Sequence, residues 1–311
     1  MIVKTLVYLS AAVGLSMGHH GLSLPLASLA TERANFTFDQ LFNFTQTFVT
    51  ALKYPNNIKQ ANEINSTFFA ENVFGRVDIT GEFQGVELNT EYIFALFNNA
   101  TKKDIPSYNT LFGPILEADI VHFSASGDIA SATTILTYDG FPSVYSAPLV
   151  WTLLFNQQGQ ILEYDVMFPL VEWSLDDAFN RTAQALNLTS TDAAQVEVQQ
   201  LIATSICAVH DKFCTGANQQ YATNAECMNT LVNEKPLGRA YQWSHDTVGC
   251  RCIHQAMVPL RPEVHCPHIG PTGGNFCVNG KTYEETILEP VFSIPLVPVG
   301  YENKNATIAA Q

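Results

Sequence analysis

The stretch LVWTLLFNQQGQILEYDVMF, residues 149–168, alternates apolar and polar side chains on either side of a short polar break. Leu149, Trp151, Leu153 and Phe155 share one parity. Beyond Gln157-Gln158-Gly159 the alternation resumes with Leu162, Tyr164, Val166 and Phe168, opposite Glu163 and Asp165. A period of two marks a strand with one buried face, and a glycine-bearing break of this length is a hairpin signal. The stretch therefore predicts two antiparallel strands whose apolar faces turn inward.

Two more strands precede it, ILEADIVHFSA (115–125) and ASATTILTYDG (130–140). In the first, Leu116, Ala118, Ile120 and His122 share a parity against Glu117 and Asp119. In the second, Ala130, Ala132, Leu136 and Tyr138 share one. Upstream the spacing widens to three or four. Leu41, Phe44, Phe48 and Leu52 in FTFDQLFNFTQTFVTALKY predict a helix, GRVDITGEFQG reads as extended, and LNTEYIFALFNN reads as a second helix with Thr90 near its start. Helices first and a bent antiparallel sheet afterwards make an α+β domain.

FQGVELNTEYIFALF (83–97), followed by strands ending in LVWTLLFNQQGQILEYDVMF, resembles the SnoaL-like or NTF2-like family. The resemblance covers residues 32–173. It implies a cone, with helices packed on a curved antiparallel sheet around one pocket. It implies no single activity, because such folds host cyclases, isomerases, dehydratases and non-enzymes. On this reading Trp151, Phe155 and Phe168 line a pocket for a small apolar molecule. The enzymatic alternative is a cofactor-free cyclase, dehydratase or isomerase acting on a polyketide-like metabolite. There His122 would be the acid or base, and Tyr138 or Tyr164 would stabilise a developing oxyanion. The competing interpretation is a core histidine with its hydrogen bonds satisfied and aromatics that fill the cone. A third possibility is a cell-wall or surface interaction protein without catalysis.

All seven cysteines fall between residues 207 and 277, none in 32–173. That shift in composition separates a cysteine-rich helical domain (207–282) from the first, with a helical linker over 174–206. Ser190 and Thr191 are candidate N-caps for a helix running to Cys207. Thr223 and Glu226 have capping-box spacing, and HDTVGCRCIHQAMV (245–258) reads as a further helix. RPEVHCPHIGPTGGNFC (261–277) reads as a loop, because of its prolines and Gly273-Gly274. In an exported chain clustered cysteines are disulfides first. Seven is odd, and Cys252 is expected to be the free thiol. Cys207, Cys214, Cys227, Cys250, Cys266 and Cys277 then form three bridges. Fifteen pairings are open; the one we expect is Cys266–Cys277, Cys214–Cys227 and Cys207–Cys250. This half, with Arg251 and His254 on one helix and the 261–277 stretch, resembles a family of secreted fungal proteins, a likeness that implies architecture and lineage but no mechanism.

His254, His265 and His268 are candidate metal ligands, since imidazoles suit copper or zinc. The sequence favours no metal there. His-Cys-x-His is not an established ligand spacing, a bridged Cys266 cannot ligate, and no acidic residue is adjacent to orient a histidine. The alternative has His265 and His268 capping a turn. No cofactor is expected.

Of the 311 residues 47% are hydrophobic and only 14% charged, which argues against disorder. The formal net charge of −14 disfavours nucleic acid and anionic lipid as partners. Residues 1–18 have the pattern of a secretory signal, with cleavage as late as residue 30 as the alternative. No other run is apolar and long enough to insert in a membrane. Asn35, Asn43, Asn65, Asn99, Asn180, Asn187 and Asn305 head Asn-x-Ser/Thr sequons, so a secreted, extracellular glycoprotein is expected. The 283–311 segment, rich in proline, reads as an extended tail packed across a groove.

Overall fold

A computed structural model describes residues 33–98, 103–140, 143–280, 282–293 and 296. The signal segment, Asn99, Asn305 and most of the tail lie outside the described residues. The chain folds as α+β, with helices packed on a curved sheet and a helical, disulfide-stapled region after it.

Helix α1 (Phe38–Ala51) starts at a capping box. The Thr37 hydroxyl accepts from Gln40 N, and Gln40 returns the bond to Thr37 N. Its apolar stripe, Leu41, Phe48 and Val49, is buried. Helix α2 (Asn56–Glu63) follows, then strands β1 (Phe69–Val77) and β2 (Gly81–Gln84). Next come helix α3 (Val86–Thr90) and a π-helical turn over Glu91–Ala95. The widened turn upsets the regular backbone ladder. Asn57 Nδ2 on α2 donates to the carbonyls of Phe94 (3.1 Å) and Phe97 (2.8 Å).

Strands β3 (Ile115–Ser126), β4 (Ile129–Tyr138), β5 (Tyr145–Phe155) and β6 (Ile161–Met167) are the four read from the sequence. The sheet order is β2-β1-β6-β5-β4-β3. All pairs are antiparallel except β1 with β6, which run parallel. The sequence reading expected a purely antiparallel sheet. The long excursion between β2 and β6 is what permits the parallel pair. Ala130, Ala132, Leu136, Tyr138, Leu149, Trp151, Leu153, Phe155, Tyr164, Val166 and Phe168 are buried, as the alternation requires; at the start of β6 it fails, where Leu162 is half-buried and Ile161 and Glu163 are buried. β3 departs from it. Register shifts between Ile115 and Glu117 and between Ile120 and His122 are bulges, and each turns the following side chain over. Phe123 and Ala125 then pack on the core, while His122 is exposed.

The second half begins with α4 (Val171–Ala185) and α5 (Thr191–Phe213), whose N-cap Ser190 accepts from Ala193 N. Short α6 (Asn224–Asn229) is capped by Thr223. Then come α7 (Val248–Gln255) and α8 (Pro262–Ile269). The α8 helix corrects the loop expected over 261–277. Pro262 sits at its first turn, where no N–H is needed. Cys266 is fixed from outside by a bridge to Cys214. The other bridges are Cys207–Cys227 and Cys250–Cys277. All three differ from the expected pairing: α5 packs on both α6 and α8 and is bridged to each, which leaves Cys250 of α7 to Cys277. Cys252 is the free thiol, as expected; burial pushes its pKa up to about 11, which makes it an inert core residue. Helix α9 (Tyr283–Leu288) occupies the start of the expected extended tail, and Ser293 N donates to Glu163.

Residues from Ala34 onward form one compact unit with a single core spanning both halves. Gln255 Nε2 donates to the Asn109 carbonyl (2.8 Å), Asn109 N to Ser205 Oγ (2.9 Å), and Ser205 Oγ to Gln255 Oε1 (2.7 Å). Phe112 meets Trp243 edge to face at 5.3 Å. Among the described residues no helix is long and apolar enough to cross a membrane.

The parallel β1–β6 pairing depends on Gly75, which lies opposite Tyr164. A Cβ there would stand 1.9 Å from the buried Tyr164 ring. Gly75→Ala is expected to lower stability by about 1–3 kcal/mol in chemical denaturation. Unchanged stability would show that the ring is free to move.

Candidate functional site

The π-helical turn and the run after it, residues 89–98, are buried on every side. A helix apolar all round must sit inside the protein, and this one takes Glu91 with it. Glu91 is fully buried. A buried carboxylate persists only if it is paired and hydrogen-bonded, and α8 meets that need. Arg261 Nε donates to Glu91 Oε1 (2.6 Å), and its Nη2 pairs with Oε2. Arg261 Nη1 also reaches Glu87 at 2.8 Å. His265 Nε2 donates to Glu91 Oε2 at 3.1 Å. Burial alone would raise the Glu91 pKa. The hydrogen bonds and charges of His265 and Arg261 outweigh it and hold the carboxyl below its ordinary range.

Beside this pair lie two more imidazoles. His254 comes from α7 and His268 from α8, one helical turn beyond His265. Their Nδ1 atoms are 3.1 Å apart. The Tyr92 hydroxyl stands 3.0 Å from His254 Nδ1 and 3.2 Å from its Nε2. Tyr92 stacks on both Phe83 (4.0 Å) and Phe276 (5.2 Å), which also stack on each other at 6.0 Å. Burial, then the neighbouring rings, drive the His254 pKa well down; burial and His265 bring His268 to about 4. Both rings are neutral near pH 7, with a lone pair each. The three candidate ligands named from sequence are thus brought together, each offering a nitrogen within 4.8 Å of the others. The carboxylate that sequence adjacency did not supply comes from the other half of the chain, as Glu91.

The residues named for the cone do not converge. His122 lies on the outer face of β3, where the bulge turns it away from Tyr138 and Tyr164. Tyr138 and Tyr164 are buried, and their hydroxyls have no hydrogen-bond partner among the described residues. Burial raises both pKa values far above the ordinary range. Trp151 packs edge to face on Phe48 at 5.4 Å and donates its indole N–H to Thr134 Oγ1. Phe168 packs 6.0 Å from Phe112.

Of the pocket candidates, Phe155 lines a surface groove of about 200 Å³. Phe44, Phe48, Phe68 and Phe155 form its apolar wall; Thr47, Thr67 and Gln158 stand at its rim. The β5–β6 turn is built for this approach. Gly159 has φ +74°, and the Phe44 ring lies where its Cβ would be, 2.8 Å away.

Removing the Glu91 charge leaves Arg261 and His265 facing each other without it. Glu91→Gln is expected to cost about 2–4 kcal/mol in urea unfolding. Glu87→Gln at the exposed end of the network should cost under about 0.5 kcal/mol. Equal small effects would mean that Glu91 is not the neutralising centre.

Two family models match the sequence. Residues 46–166 match the BfoA N-terminal domain and residues 170–280 the BfoA family C-terminal domain. Bifonsecin B biosynthesis cluster protein A of Aspergillus brasiliensis is 41% identical over 275 residues, which cover 88% of this chain and 90% of that protein. Aurasperone B biosynthesis cluster protein A of Aspergillus niger is 41% identical over 262 residues, covering 83% and 84%. Among solved structures, an LEH-like epoxide hydrolase of M. tuberculosis aligns with TM-score 0.35 and 10% identity, over 49% of this chain and 98% of that one. A protein with a ketosteroid isomerase-like fold from Catenulispora acidiphila aligns with TM-score 0.30 and 14% identity, over 41% and 86%. With both models matched in order and relatives of this identity across nearly its whole length, the chain belongs to the BfoA family.

Proposed function

We propose that the protein serves a fungal biosynthesis cluster, outside the cell, by holding a small apolar molecule in the phenylalanine groove. The observation that carries the binding part is the groove. Four phenylalanine rings line it at the open end of a sheet whose interior is otherwise packed with aromatic side chains. Faces of this kind take flat apolar ligands through offset or edge contacts. A groove of about 200 Å³ is smaller than the roughly 300–1,000 Å³ of pockets for drug-sized ligands. Its occupant is therefore one small ring system, or one end of a longer molecule. The biosynthetic part rests on the names of the relatives, which refer to the bifonsecin B and aurasperone B clusters. The extracellular part is supported by three disulfides, by the apolar N-terminal run, and by the exposure of Asn35, Asn43, Asn65, Asn180 and Asn187 at their sequons.

A reacting cone has less support. Its acid or base, His122, lies on the outer face, and the two tyrosines that would donate to an oxyanion are buried on the other face of the sheet, apart from it.

Titration with naphthalen-2-ol by calorimetry tests the binding reading. Saturable binding is expected, with about tenfold weakening for Phe44→Ala, whose ring forms the outer wall. His122→Ala should leave the affinity unchanged. Absence of saturable binding, or full affinity in Phe44→Ala, would contradict it.

A further inference from the structure

The groove leaves the histidine cluster without a role. His254, His265 and His268 are buried among aromatic rings, and one of their nitrogens, His265 Nδ1, has no hydrogen-bond partner among the described residues.

His265 carries the informative atom. A carboxylate only accepts, so the nitrogen facing Glu91, Nε2, bears the proton. In the neutral ring Nδ1 then presents a lone pair. That atom is buried and has no hydrogen-bond partner among the described residues. A protonated ring would strand an N–H there instead. Either orphan is unfavourable in a buried site, and a metal cation would satisfy the lone pair directly.

The geometry around it suits an ion. His254 Nδ1 and His268 Nδ1 are 3.1 Å apart, close to the roughly 3.3 Å between two nitrogens on one tetrahedral ion at bond lengths near 2.0 Å. One nitrogen of each of the three lies within 4.8 Å of the others, so no pair has to close by more than roughly 1.5 Å to complete the set. Glu91 supplies the carboxylate that orients a histidine ligand from behind, and Arg261 holds Glu91 in turn. Bridges Cys250–Cys277 and Cys214–Cys266 fix α7 and α8, so the frame is set before any ion arrives. The sulfurs of Cys250 and Cys277, also near His254, are bonded to each other and offer no thiolate.

We propose that His254, His265 and His268 bind one divalent transition-metal ion, copper or zinc, with the Tyr92 hydroxyl beside the remaining coordination position. Three imidazoles suit both metals. His268 is the most exposed of the three and marks the side from which the ion arrives. Glu91 and Arg261 are positioning residues that act through His265.

The test uses the full disulfide-bonded chain, with His19→Ser and His20→Ser in every sample, because cleavage after residue 18 would leave His19 as an N-terminal histidine able to ligate copper on its own. The chain is stripped of metal, then titrated with zinc(II) by calorimetry and with copper(II) by electron paramagnetic resonance. One equivalent is expected to bind, with a nitrogen hyperfine pattern from three imidazoles in the copper sample. His265→Ala should weaken binding at least tenfold and Glu91→Gln by about 10–100-fold. Exposed His122→Ala should change nothing. Near-UV circular dichroism and the disulfide count establish that each variant is folded. If His265→Ala does not fold, His268→Gln and the hyperfine pattern of the parent chain decide. No stoichiometric binding by the parent chain would overturn the proposal, as would undiminished binding in a folded His265 or His268 variant.

Discussion

Glu91 is a full negative charge inside the protein, and much of the arrangement around it follows from the need to neutralise it. It arrives in the interior because the run after it, Tyr92 to Asn98, is buried on every side. Once there it needs cations and donors within hydrogen-bond reach, since an unpaired buried carboxylate is far less stable than one in water. The α8 helix provides them with Arg261 at its N-cap and His265 one turn in. The ion pair therefore does more than stabilise. It fixes how the sheet-bearing half meets the disulfide-bearing half, and it aims His265 toward His254 and His268.

Both kinds of cross-link serve that junction. The disulfides restrict α5, α6, α7 and α8 relative to one another; each contributes about 2–4 kcal/mol by restricting the unfolded chain. None of them reaches the sheet, because every cysteine lies beyond residue 206. The link to the sheet is noncovalent: Glu91 with Arg261 and His265, the stack of Phe83, Tyr92 and Phe276, and the bonds of Asn109 with Ser205 and Gln255. Two sequence regions with different cysteine content thus share one core.

The strands were legible where a single face is buried. Along β4, and along β5 as far as Leu153, the alternation runs unbroken, and the inner residues come out as expected. On β3 it did not, because a bulge is a backbone event with no composition cue in ILEADIVHFSA, and one shifted residue moves His122 to the other face. Disulfide partners depend on which helices are neighbours, a tertiary fact, so six cysteines in order could not give the pairing. The α8 helix was hidden by prolines, one of which occupies a first-turn position that helices tolerate. The histidines were visible but their supporting carboxylate was not. Glu91 lies more than 150 residues away from them in the chain. Its one signal was a glutamate entering a helix apolar on all sides, which has to be buried and so has to have a partner.

Glu91 and its partners make the two halves one cooperative unit. Differential scanning calorimetry on the disulfide-intact protein measures this most directly. A single transition is expected, with calorimetric and van't Hoff enthalpies equal. Two resolved transitions, one for the sheet-bearing half and one for the disulfide-stapled half, would contradict it.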